Sequence, residues 1–358
     1  MNKRIEKLMS MLPDEIDCAL ITADNNRRYF TGMLSSAGTL VCFRNEAYLI
    51  IDFRYIEKAR KTAKGCQVIR QENLYTQIKE LLVKHGAKTI AVESMELTLS
   101  RFQQLRENLG DTAEFDESNA LSKAVYACRM IKEPEEIEKI RQAQALAEEA
   151  FEHVLGFIHE GVSEREVQLE LDFKMLRLGA EELSFPTIAL TGAATSMPHG
   201  VPSAERLVKK GDFVLMDYGA VVDGYHSDMT RTIAVGQPSE EMVHVYNTVL
   251  TAQEKALRFV RAGITGSQLD AAARTYIAEA GYGEAFGHSL GHGVGLEIHE
   301  YPNAAPVSTT VLRSGNVITV EPGIYLAGKF GVRIEDFVLV TEQGCENLTR
   351  APKNMIIL

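Results

Sequence analysis

The sequence lacks most features of membrane and secreted proteins. No hydrophobic run approaches the roughly 20 residues that are needed to cross a bilayer. The amino-terminal segment, 1–11, mixes charged and apolar residues and has no cleavage site typical of a signal peptide. The five cysteines are scattered without a Cys-x-x-Cys pair, a distribution typical of reduced thiols in the cytosol. We therefore expect a cytoplasmic protein with no membrane partner.

An excess of basic residues is also missing. The chain has 38 lysines and arginines against 49 aspartates and glutamates, which gives a formal net charge of -11. Such a balance disfavours a broad phosphate-binding surface, so we expect no nucleic-acid partner. Carboxylates crowded into one cleft repel each other unless a bound cation offsets their charge, which is one interpretation of the acidity. Net charge alone favours the simpler interpretation, an acidic and solvated surface.

The length and the patterning predict two domains. A chain of 358 residues with 45% hydrophobic content is long enough for more than one core. The first part, 1–121, alternates short apolar runs with helical patterns, which predicts an α/β domain. It has no glycine-rich phosphate loop, so we expect it to shape a cleft or to form a dimer contact. Its predicted elements are strands at 19–22, 39–43, 48–52 and 89–93 and a helix at 74–85.

A linker, 122–132, is predicted before the second domain, 133–358. Pro134 and the two acids that follow it are typical of the first turn of a helix. The backbone N–H groups of the first turn have no partner within the helix, so proline loses no hydrogen bond there, and acids interact favourably with the helix dipole. The second domain therefore begins with a long helix.

The second domain repeats one plan at an interval of 100 to 107 residues. In each copy a long helix ends at a glycine, a second helix follows, and a histidine and a glycine precede an acidic strand. The first copy has a helix ending at 161, a helix at 164–178, His199, Gly211 and a strand at 213–217. The second copy has a helix ending at 263, a helix at 267–280, His299, Gly315 and a strand at 317–321. A duplicated helix-helix-hairpin unit explains the repeat and predicts antiparallel strands covered by helices.

Two acids of the first copy are predicted to converge on one face of a hairpin. Asp223-Gly224 suits a two-residue turn, which pairs Gly219 with Asp228 across the two strands. Asp217 shares the face of Gly219 and therefore lies diagonally opposite Asp228, within about 7 to 8 Å. Acids beside hairpins are commonly solvated. The preceding strand is apolar on both faces, however, and a buried carboxylate must be neutralised, paired or bound to a metal.

A glycine-rich segment, 287–299, has three histidines: His288, His292 and His299. Glycine lets the backbone approach a ligand closely, and neutral imidazoles serve as metal ligands or proton carriers. Any single histidine is more often a satisfied core or surface residue. Three of them in this setting favour a functional site.

A last acidic pair belongs to the second copy. Pro322-Gly323 ends the strand 317–321, and 332–335 is predicted to begin the next strand with Arg333 and Glu335 on one face. Arg333 either forms a salt bridge or orients a carboxylate or a substrate carbonyl. Four carboxylates and one imidazole suit a pair of Mn²⁺, Co²⁺ or Zn²⁺ ions, which together can activate a bridging hydroxide. The expected reaction class is metal-assisted hydrolysis.

The motifs of the second domain resemble those of the pita-bread metallopeptidases, the group that contains prolidase, aminopeptidase P and methionine aminopeptidase. The α/β domain is similar to the amino-terminal domain of the creatinase, prolidase and aminopeptidase P branch. This resemblance implies an α+β fold in which a smaller α/β domain precedes a duplicated pita-bread catalytic domain. The matching segments are Phe185-Pro186-Thr187, Pro198-His199-Gly200, Met216-Asp217-Tyr218-Gly219, Ser227-Asp228-Met229-Thr230-Arg231, 288–299, Glu321-Pro322-Gly323 and Arg333-Ile334-Glu335-Asp336.

The resemblance implies a set of five metal ligands for two divalent ions per chain. Asp217 would bind one ion, and Asp228 and Glu335 would bridge both. His292 and Glu321 would complete the shell of the second ion. Mn²⁺ or Co²⁺ is the expected metal, with Zn²⁺ as a third candidate.

The same resemblance implies roles in catalysis. Glu321 would help to activate water and carry protons, and Arg333 would support the site from beside Glu335. The three remaining histidines would contact the substrate and the tetrahedral intermediate: His199, His288 and His299.

The implied function is hydrolysis of the bond between an N-terminal residue and a following proline. The expected substrate is a peptide or dipeptide with proline in second position, and the expected assembly is a homodimer. Aminopeptidase P and Xaa-Pro dipeptidase share every motif above, so both activities stay open. One alternative is specificity like that of methionine aminopeptidase, which the α/β domain disfavours. The other is a non-catalytic pita-bread interaction protein, which five intact ligands disfavour.

Overall fold

A six-stranded sheet and six helices make up the amino-terminal part of the chain. The computed structural model describes residues 1–358, which divide into two units, Met1–Arg129 and Met130–Leu358. The strands of the first unit are β1 (Cys18–Ile21), β2 (Thr39–Phe43), β3 (Ala47–Ile51), β4 (Gln67–Arg70), β5 (Thr89–Val92) and β6 (Glu114–Asp116). The helices are α1 (Lys3–Met11), α2 (Asp24–Thr31), α3 (Ile56–Thr62), α4 (Leu74–His85), α5 (Leu99–Leu109) and α6 (Ala120–Met130).

The first sheet has the strand order β4-β3-β2-β1-β5-β6, in which β2 runs antiparallel to both neighbours and the other pairs are parallel. β1, β2 and β3 are buried along their whole length, which matches their continuous apolar sequences. The four predicted strands overlap β1, β2, β3 and β5, and the predicted helix is α4. The α/β expectation for this part of the chain is confirmed.

The residues predicted as a linker, 122–132, lie mostly in α6. Leu121, Val125 and Cys128 are buried along one side of this helix, at the three- and four-residue spacing of an amphipathic helix. Most of the predicted linker therefore forms a packed helix. The predicted domain limits, 1–121 and 133–358, stay a prediction.

The second unit contains four helices and thirteen strands. The helices are α7 (Pro134–Leu155), α8 (Glu164–Arg177), α9 (Glu240–Phe259) and α10 (Gly266–Glu279), and short 3-10 helices lie at Gly192–Ser196 and Gly283–Ala285. The strands are β7 (Glu182–Leu183), β8 (Ile188–Thr191), β9 (Phe213–Tyr218), β10 (Ala220–Val222), β11 (Tyr225–His226), β12 (Met229–Ala234), β13 (Gly291–Gly293), β14 (Glu300–Ala304), β15 (Val317–Val320), β16 (Gly323–Leu326), β17 (Phe330–Arg333), β18 (Asp336–Val340) and β19 (Cys345–Asn347). No helix of either unit is long and apolar enough to span a bilayer.

Two helix pairs cover the strands of this unit. One hydrophobic core packs α7 and α8 against β9 and β12, and a second packs α9 and α10 against β15 and β18. The sheets have the orders β12-β9-β8 and β14-β13-β15-β18-β19, next to a small sheet β11-β10-β7 and a hairpin β16-β17. The expected α+β fold with a pita-bread domain is confirmed.

The two copies match in backbone detail. Gly161 and Gly263 both have positive φ, 91° and 89°, and their N–H groups donate to Val208 and Leu312 at 2.8 and 2.9 Å. Both second helices then begin with a capping box. The prediction that the long helices reach these glycines was wrong, because α7 ends at Leu155 and α9 at Phe259. A residue with positive φ cannot continue a right-handed helix, so these glycines belong to the turns that follow.

The prediction that 332–335 begins the strand after Glu321 was also wrong. The strand that follows Glu321 is β16, and β17 is its antiparallel hairpin partner. Arg333, the last residue of β17, pairs with Gly323, the first residue of β16. Glu335 lies between β17 and β18, and β18 is the strand that pairs with β15. An additional hairpin therefore separates the two acids of the second copy.

A buried ion pair joins the strands of the two copies. Arg231 on β12 donates to Asp336 on β18 at 2.8 Å, and both side chains are almost fully buried. Asp336 also accepts hydrogen bonds from Gln253, Asn347 and Lys353, at 3.0, 2.8 and 2.6 Å. Burial alone would raise the pKa of Asp336, but the charges of Arg231 and Lys353 outweigh it and lower the pKa. The carboxylate is thus fully satisfied.

We expect Asp336→Ala to destabilise the protein by about 3 to 5 kcal/mol, because it leaves the buried guanidinium of Arg231 without its partner. Urea unfolding of the metal-free protein measures this change. The control is Glu346→Ala, which breaks a half-exposed pair with Arg141 and should cost about 1 kcal/mol or less. Equal effects of the two substitutions would contradict the assigned role of the buried pair.

Candidate metal centre

The five residues predicted as metal ligands come from five segments of the second unit. Asp217 lies on β9, Asp228 immediately precedes β12, and His292 lies on β13. Glu321 immediately follows β15, and Glu335 lies between β17 and β18. The ligand atoms of Asp228, His292 and Glu335 all lie within 4.8 Å of one another.

Strand register brings the acids of the first copy together, as the hairpin turn predicts. Val222 pairs with Tyr225 at the turn, and Asp217 pairs with Thr230 further along. Asp228 lies two residues before Thr230 and therefore on the same face. The diagonal arrangement of Asp217 and Asp228 is thus confirmed by the register.

Strand register also explains the acids of the second copy. Val320 pairs with Asp336 between β15 and β18, which brings the adjacent residues Glu321 and Glu335 to opposite positions at the end of the ladder. Thr230 makes two hydrogen bonds to Glu335. Its hydroxyl donates to the Glu335 carboxylate at 2.7 Å, and its backbone carbonyl accepts the Glu335 backbone N–H at 3.1 Å. Thr230 therefore ties the second pair of acids to the first.

His292 faces the carboxylates through one defined ring nitrogen. Its Nδ1 lies 3.1 Å from the carbonyl oxygen of Gly293, which can only accept, so Nδ1 carries the proton. Its Nε2 lies 3.6 Å from Asp228 and 3.3 Å from Glu321. The hydroxyl of Thr319 orients both His292 and Glu321. It accepts a hydrogen bond from the backbone N–H of His292 at 3.0 Å and donates one to the carboxylate of Glu321 at 3.1 Å. An imidazole fixed in this way presents Nε2 as a metal ligand.

Burial and mutual repulsion set the charges of the acids. Burial raises the pKa of Asp228, and the negative charge of Asp217 adds to the effect. Burial likewise raises the pKa of Glu335, supported by the charges of Asp228 and Glu321. Burial also raises the pKa of Asp217, although the nearby Arg333 opposes the shift. Without a cation, Asp228 and Glu335 favour the protonated state, whereas Arg333 supports the charged form of Asp217.

His292 and Glu321 form a pair with opposite shifts. Burial alone would lower the pKa of His292, but the hydrogen bond and charge of Glu321 raise it to about 9. Burial alone would raise the pKa of Glu321, but the hydrogen bond and charge of His292 lower it to about 2. The pair is an imidazolium and a carboxylate in the metal-free protein near neutral pH.

Two buried carboxylate oxygens have no hydrogen-bond partner, one on Asp217 and one on Glu335. Such an atom is costly inside a protein unless a ligand satisfies it. Carboxylate oxygens and one imidazole nitrogen are also the donor types that divalent cations such as Mn²⁺, Co²⁺ and Zn²⁺ accept. The residues therefore fit a site for divalent cations.

Arg333 contacts the site at a different point from the one expected. Its guanidinium pairs with Asp217 and donates to the hydroxyl of Tyr325 at 2.8 Å, while its Nε donates to Thr230 at 3.1 Å. Arg333 reaches Glu335 only through Thr230. These contacts make it a residue that orients ligands.

Sequence reasoning missed Tyr325, which lies between Arg333 and His288. Its hydroxyl lies 2.9 Å from Nε2 of His288, whose Nδ1 lies 2.8 Å from the carbonyl oxygen of Ser289. The glycine at Gly328 could have indicated this residue, because a hairpin turn there pairs Tyr325 with Gly331, two residues before Arg333. Thr230 and Thr319 were missed in the same way, since nothing local identifies a hydroxyl that bridges two strands.

The three predicted catalytic histidines lie at different depths. His288 is partly buried, and burial lowers its pKa, so it is neutral near pH 7. His199 and His299 are exposed. The ring of His299 lies edge-on to that of His292, with 4.3 Å between the ring centres. Partial desolvation of its ring lowers the pKa of His299, and the nearby His292 and His199 lower it further.

Comparison with known families gives two matches that together cover most of the chain. Residues 138–342 match metallopeptidase family M24, and residues 4–131 match the creatinase/prolidase N-terminal domain. An Xaa-Pro dipeptidase of Pyrococcus horikoshii is 37% identical over 357 residues, which cover 99% of both chains.

Solved structures of relatives have the same fold over their full length. An Xaa-Pro dipeptidase from Bacillus anthracis has a TM-score of 0.95 at 43% identity, covering 99% of both chains. An X-Pro aminopeptidase from Thermotoga maritima has a TM-score of 0.91 at 38% identity, covering 99% of this chain and all of the other. Proteins named for both activities are therefore among its structural neighbours.

We expect metal binding to release protons and to tighten as pH rises between about 6 and 8. The raised pKa values of Asp228, Glu335 and His292 mean that protons must leave before these groups can bind a cation. Each proton released changes the binding constant by about tenfold per pH unit. Calorimetric titration with Mn²⁺ in buffers of different ionisation enthalpy measures the proton count.

Asp172→Asn is the matched control for this titration, because Asp172 is another carboxyl group whose pKa is raised by burial. Asp172 lies on α8, outside the predicted ligand set, and accepts a hydrogen bond from the hydroxyl of Thr187 at 2.5 Å. The variant should release as many protons as the unaltered protein. Binding without proton release, or with the same affinity at pH 6 and pH 8, would contradict the assigned charge states.

Proposed function

This chain belongs to metallopeptidase family M24, and we propose that it hydrolyses the bond between an N-terminal residue and a following proline with two divalent cations. The observation that carries the proposal is the buried cluster of four carboxylates and His292, in which two carboxylate oxygens have no protein partner. Relatives named Xaa-Pro dipeptidase and X-Pro aminopeptidase, similar over the full chain, support the substrate class.

We assign the ligand roles as the motifs imply. Asp217 would hold one cation, Asp228 and Glu335 would contribute to both, and His292 and Glu321 would complete the shell of the second. When bound, the cations supply Lewis acidity and lower the pKa of water so that it becomes a nucleophile near neutral pH. Arg333 holds Asp217 in position through its guanidinium.

Proton transfer falls to Glu321. Its carboxylate lies 3.3 Å from His292 inside the cluster, so we assign it to accept a proton from the attacking water. It then delivers that proton to the proline nitrogen as the peptide bond breaks, which yields a free amino acid and a new N-terminal proline. Thr319 holds the carboxylate through a hydrogen bond at 3.1 Å.

The histidines outside the ligand set act on the substrate. His288 is neutral, and its Nε2 accepts a hydrogen bond from the hydroxyl of Tyr325. This contact fixes the ring in one orientation. His199 and His299 are exposed, and His299 lies against the ligand His292. We assign His199 and His299 to binding the substrate carbonyl and to stabilising the negative charge that develops on its oxygen.

The finer parts of the proposal rest on the sequence resemblance. They are Mn²⁺ or Co²⁺ as the metal, a homodimer, a cytoplasmic location and a peptide or dipeptide with proline in second position. The match of 4–131 to the creatinase/prolidase domain favours this branch over methionine aminopeptidase. The complete set of five ligands disfavours a non-catalytic protein.

Chelation should abolish hydrolysis, and Mn²⁺ or Co²⁺ should restore it, because the nucleophile needs a cation to form near neutral pH. The restored enzyme should be assayed side by side on an Xaa-Pro dipeptide and on an Xaa-Pro-Yaa tripeptide, and the ratio of kcat/KM values separates dipeptidase from aminopeptidase. Glu335→Ala should behave as metal-free protein, since this residue is assigned to both cations. Full activity of the chelated protein would refute the assignment.

His199→Ala and His299→Ala should each lower turnover by about 10² to 10⁴ while metal content stays near normal, because both act without binding metal. Metal analysis and turnover are measured on the same samples. An emptied metal site would identify the substituted histidine as a ligand. A loss of only a few-fold would assign it to structure.

A further inference from the structure

A second buried ion pair lies next to the metal centre and takes no part in the function proposed above. Lys132, just before α7, pairs with Glu300, the first residue of β14. Their side chains are only 1% and 6% exposed. The partners are 168 residues apart in the sequence, so the pair exists only in the folded second unit.

The backbone fixes the position of the lysine. The N–H of Lys132 donates to the carbonyl of Gly315 at 2.8 Å, and the side chain of Asn316 donates to the carbonyl of Met130 at 2.9 Å. The segment 130–132 is therefore held against the turn that begins β15. The lysine side chain extends from this fixed point to the carboxylate of Glu300.

The carboxylate anchors the loop that carries His299. Glu300 pairs with Gly293 between β14 and β13, next to the ligand His292. Its carboxylate also covers Gly295, where any Cβ would lie 2.3 Å from a carboxylate oxygen. The loop 294–299 therefore packs against the carboxylate of Glu300 at Gly295, and His299 is the residue immediately before Glu300.

We propose that Lys132, acting through Glu300, is a positioning residue that fixes His299 beside the metal centre; this rests on the function proposed above. His299 is exposed and its ring lies against that of His292, with 4.3 Å between the ring centres, so its placement depends on the backbone that carries it. A buried ion pair adds little stability over well-packed apolar residues, but it fixes the separation of two segments. An error of about 1 Å in a catalytic group can cost about 10² in rate.

The first measurement compares Lys132→Met with Lys132→Arg, with rates normalised to metal-loaded protein. Lys132→Met should lower kcat and kcat/KM by the same factor, roughly 10 to 100, since His299 acts in the transition state. Lys132→Arg keeps the charge and should recover most of the rate. Lys174→Met, which removes a lysine paired with Glu149 on the helices away from the site, is the matched control and should stay within about twofold.

The second measurement asks whether the lysine acts through His299. On the His299→Ala background, Lys132→Met should change kcat by no more than about twofold, because the group that it positions is absent. The double variant Lys132→Met/Glu300→Gln removes both charges and should recover stability in urea without recovering kcat. Recovery of stability and kcat together would assign the pair to folding alone and overturn the inference.

A readout without substrate separates this inference from the proposed function. Histidine NMR of the metal-free protein should show a changed His299 resonance in Lys132→Met and an unchanged one in Lys174→Met. An unchanged His299 resonance, or rate losses that multiply in the double-variant cycle, would overturn the positioning role even if the unaltered enzyme cleaves Xaa-Pro bonds. A changed resonance in a protein without Xaa-Pro hydrolysis would support the positioning of His299 and refute only the proposed function.

Discussion

The second unit is organised around the repulsion among four carboxylates in one buried space. Asp217, Asp228, Glu321 and Glu335 all have restricted access to water, and burial acts against the charged form of each. Such a cluster requires cations, protons or basic partners. The protein supplies His292 beside Asp228 and Arg333 beside Asp217, and two carboxylate oxygens have no protein partner.

The duplicated architecture explains why the cluster lies where it does. Each copy contributes a carboxylate near the end of one strand and a following segment that carries a second one. The two copies meet where β12 contacts the segment around Glu335, and the buried pair of Arg231 with Asp336 fixes that junction. A site at such a junction receives ligands from both copies while each helix pair maintains its own core.

A layer of residues around the ligands determines their orientation. Thr230 contacts Glu335 and Arg333, and Thr319 contacts His292 and Glu321. Such outer contacts fix ring orientation and ligand geometry, so their loss commonly lowers metal affinity or activity by about 10- to 100-fold. The pair of Lys132 with Glu300 extends this layer from the metal ligands to the loop that presents His299.

The sequence by itself determined the features that depend on local pattern. The hairpin register that aligns Asp217 with Asp228 follows from a two-residue turn and the alternation of strand side chains. Only the tertiary structure decided that Arg333 turns toward Asp217, that Tyr325 joins it to His288, and that Lys132 meets Glu300. These contacts join segments that are distant in sequence or separated by a turn. Their geometry depends on how the strands pack, which periodicity and motif spacing do not encode.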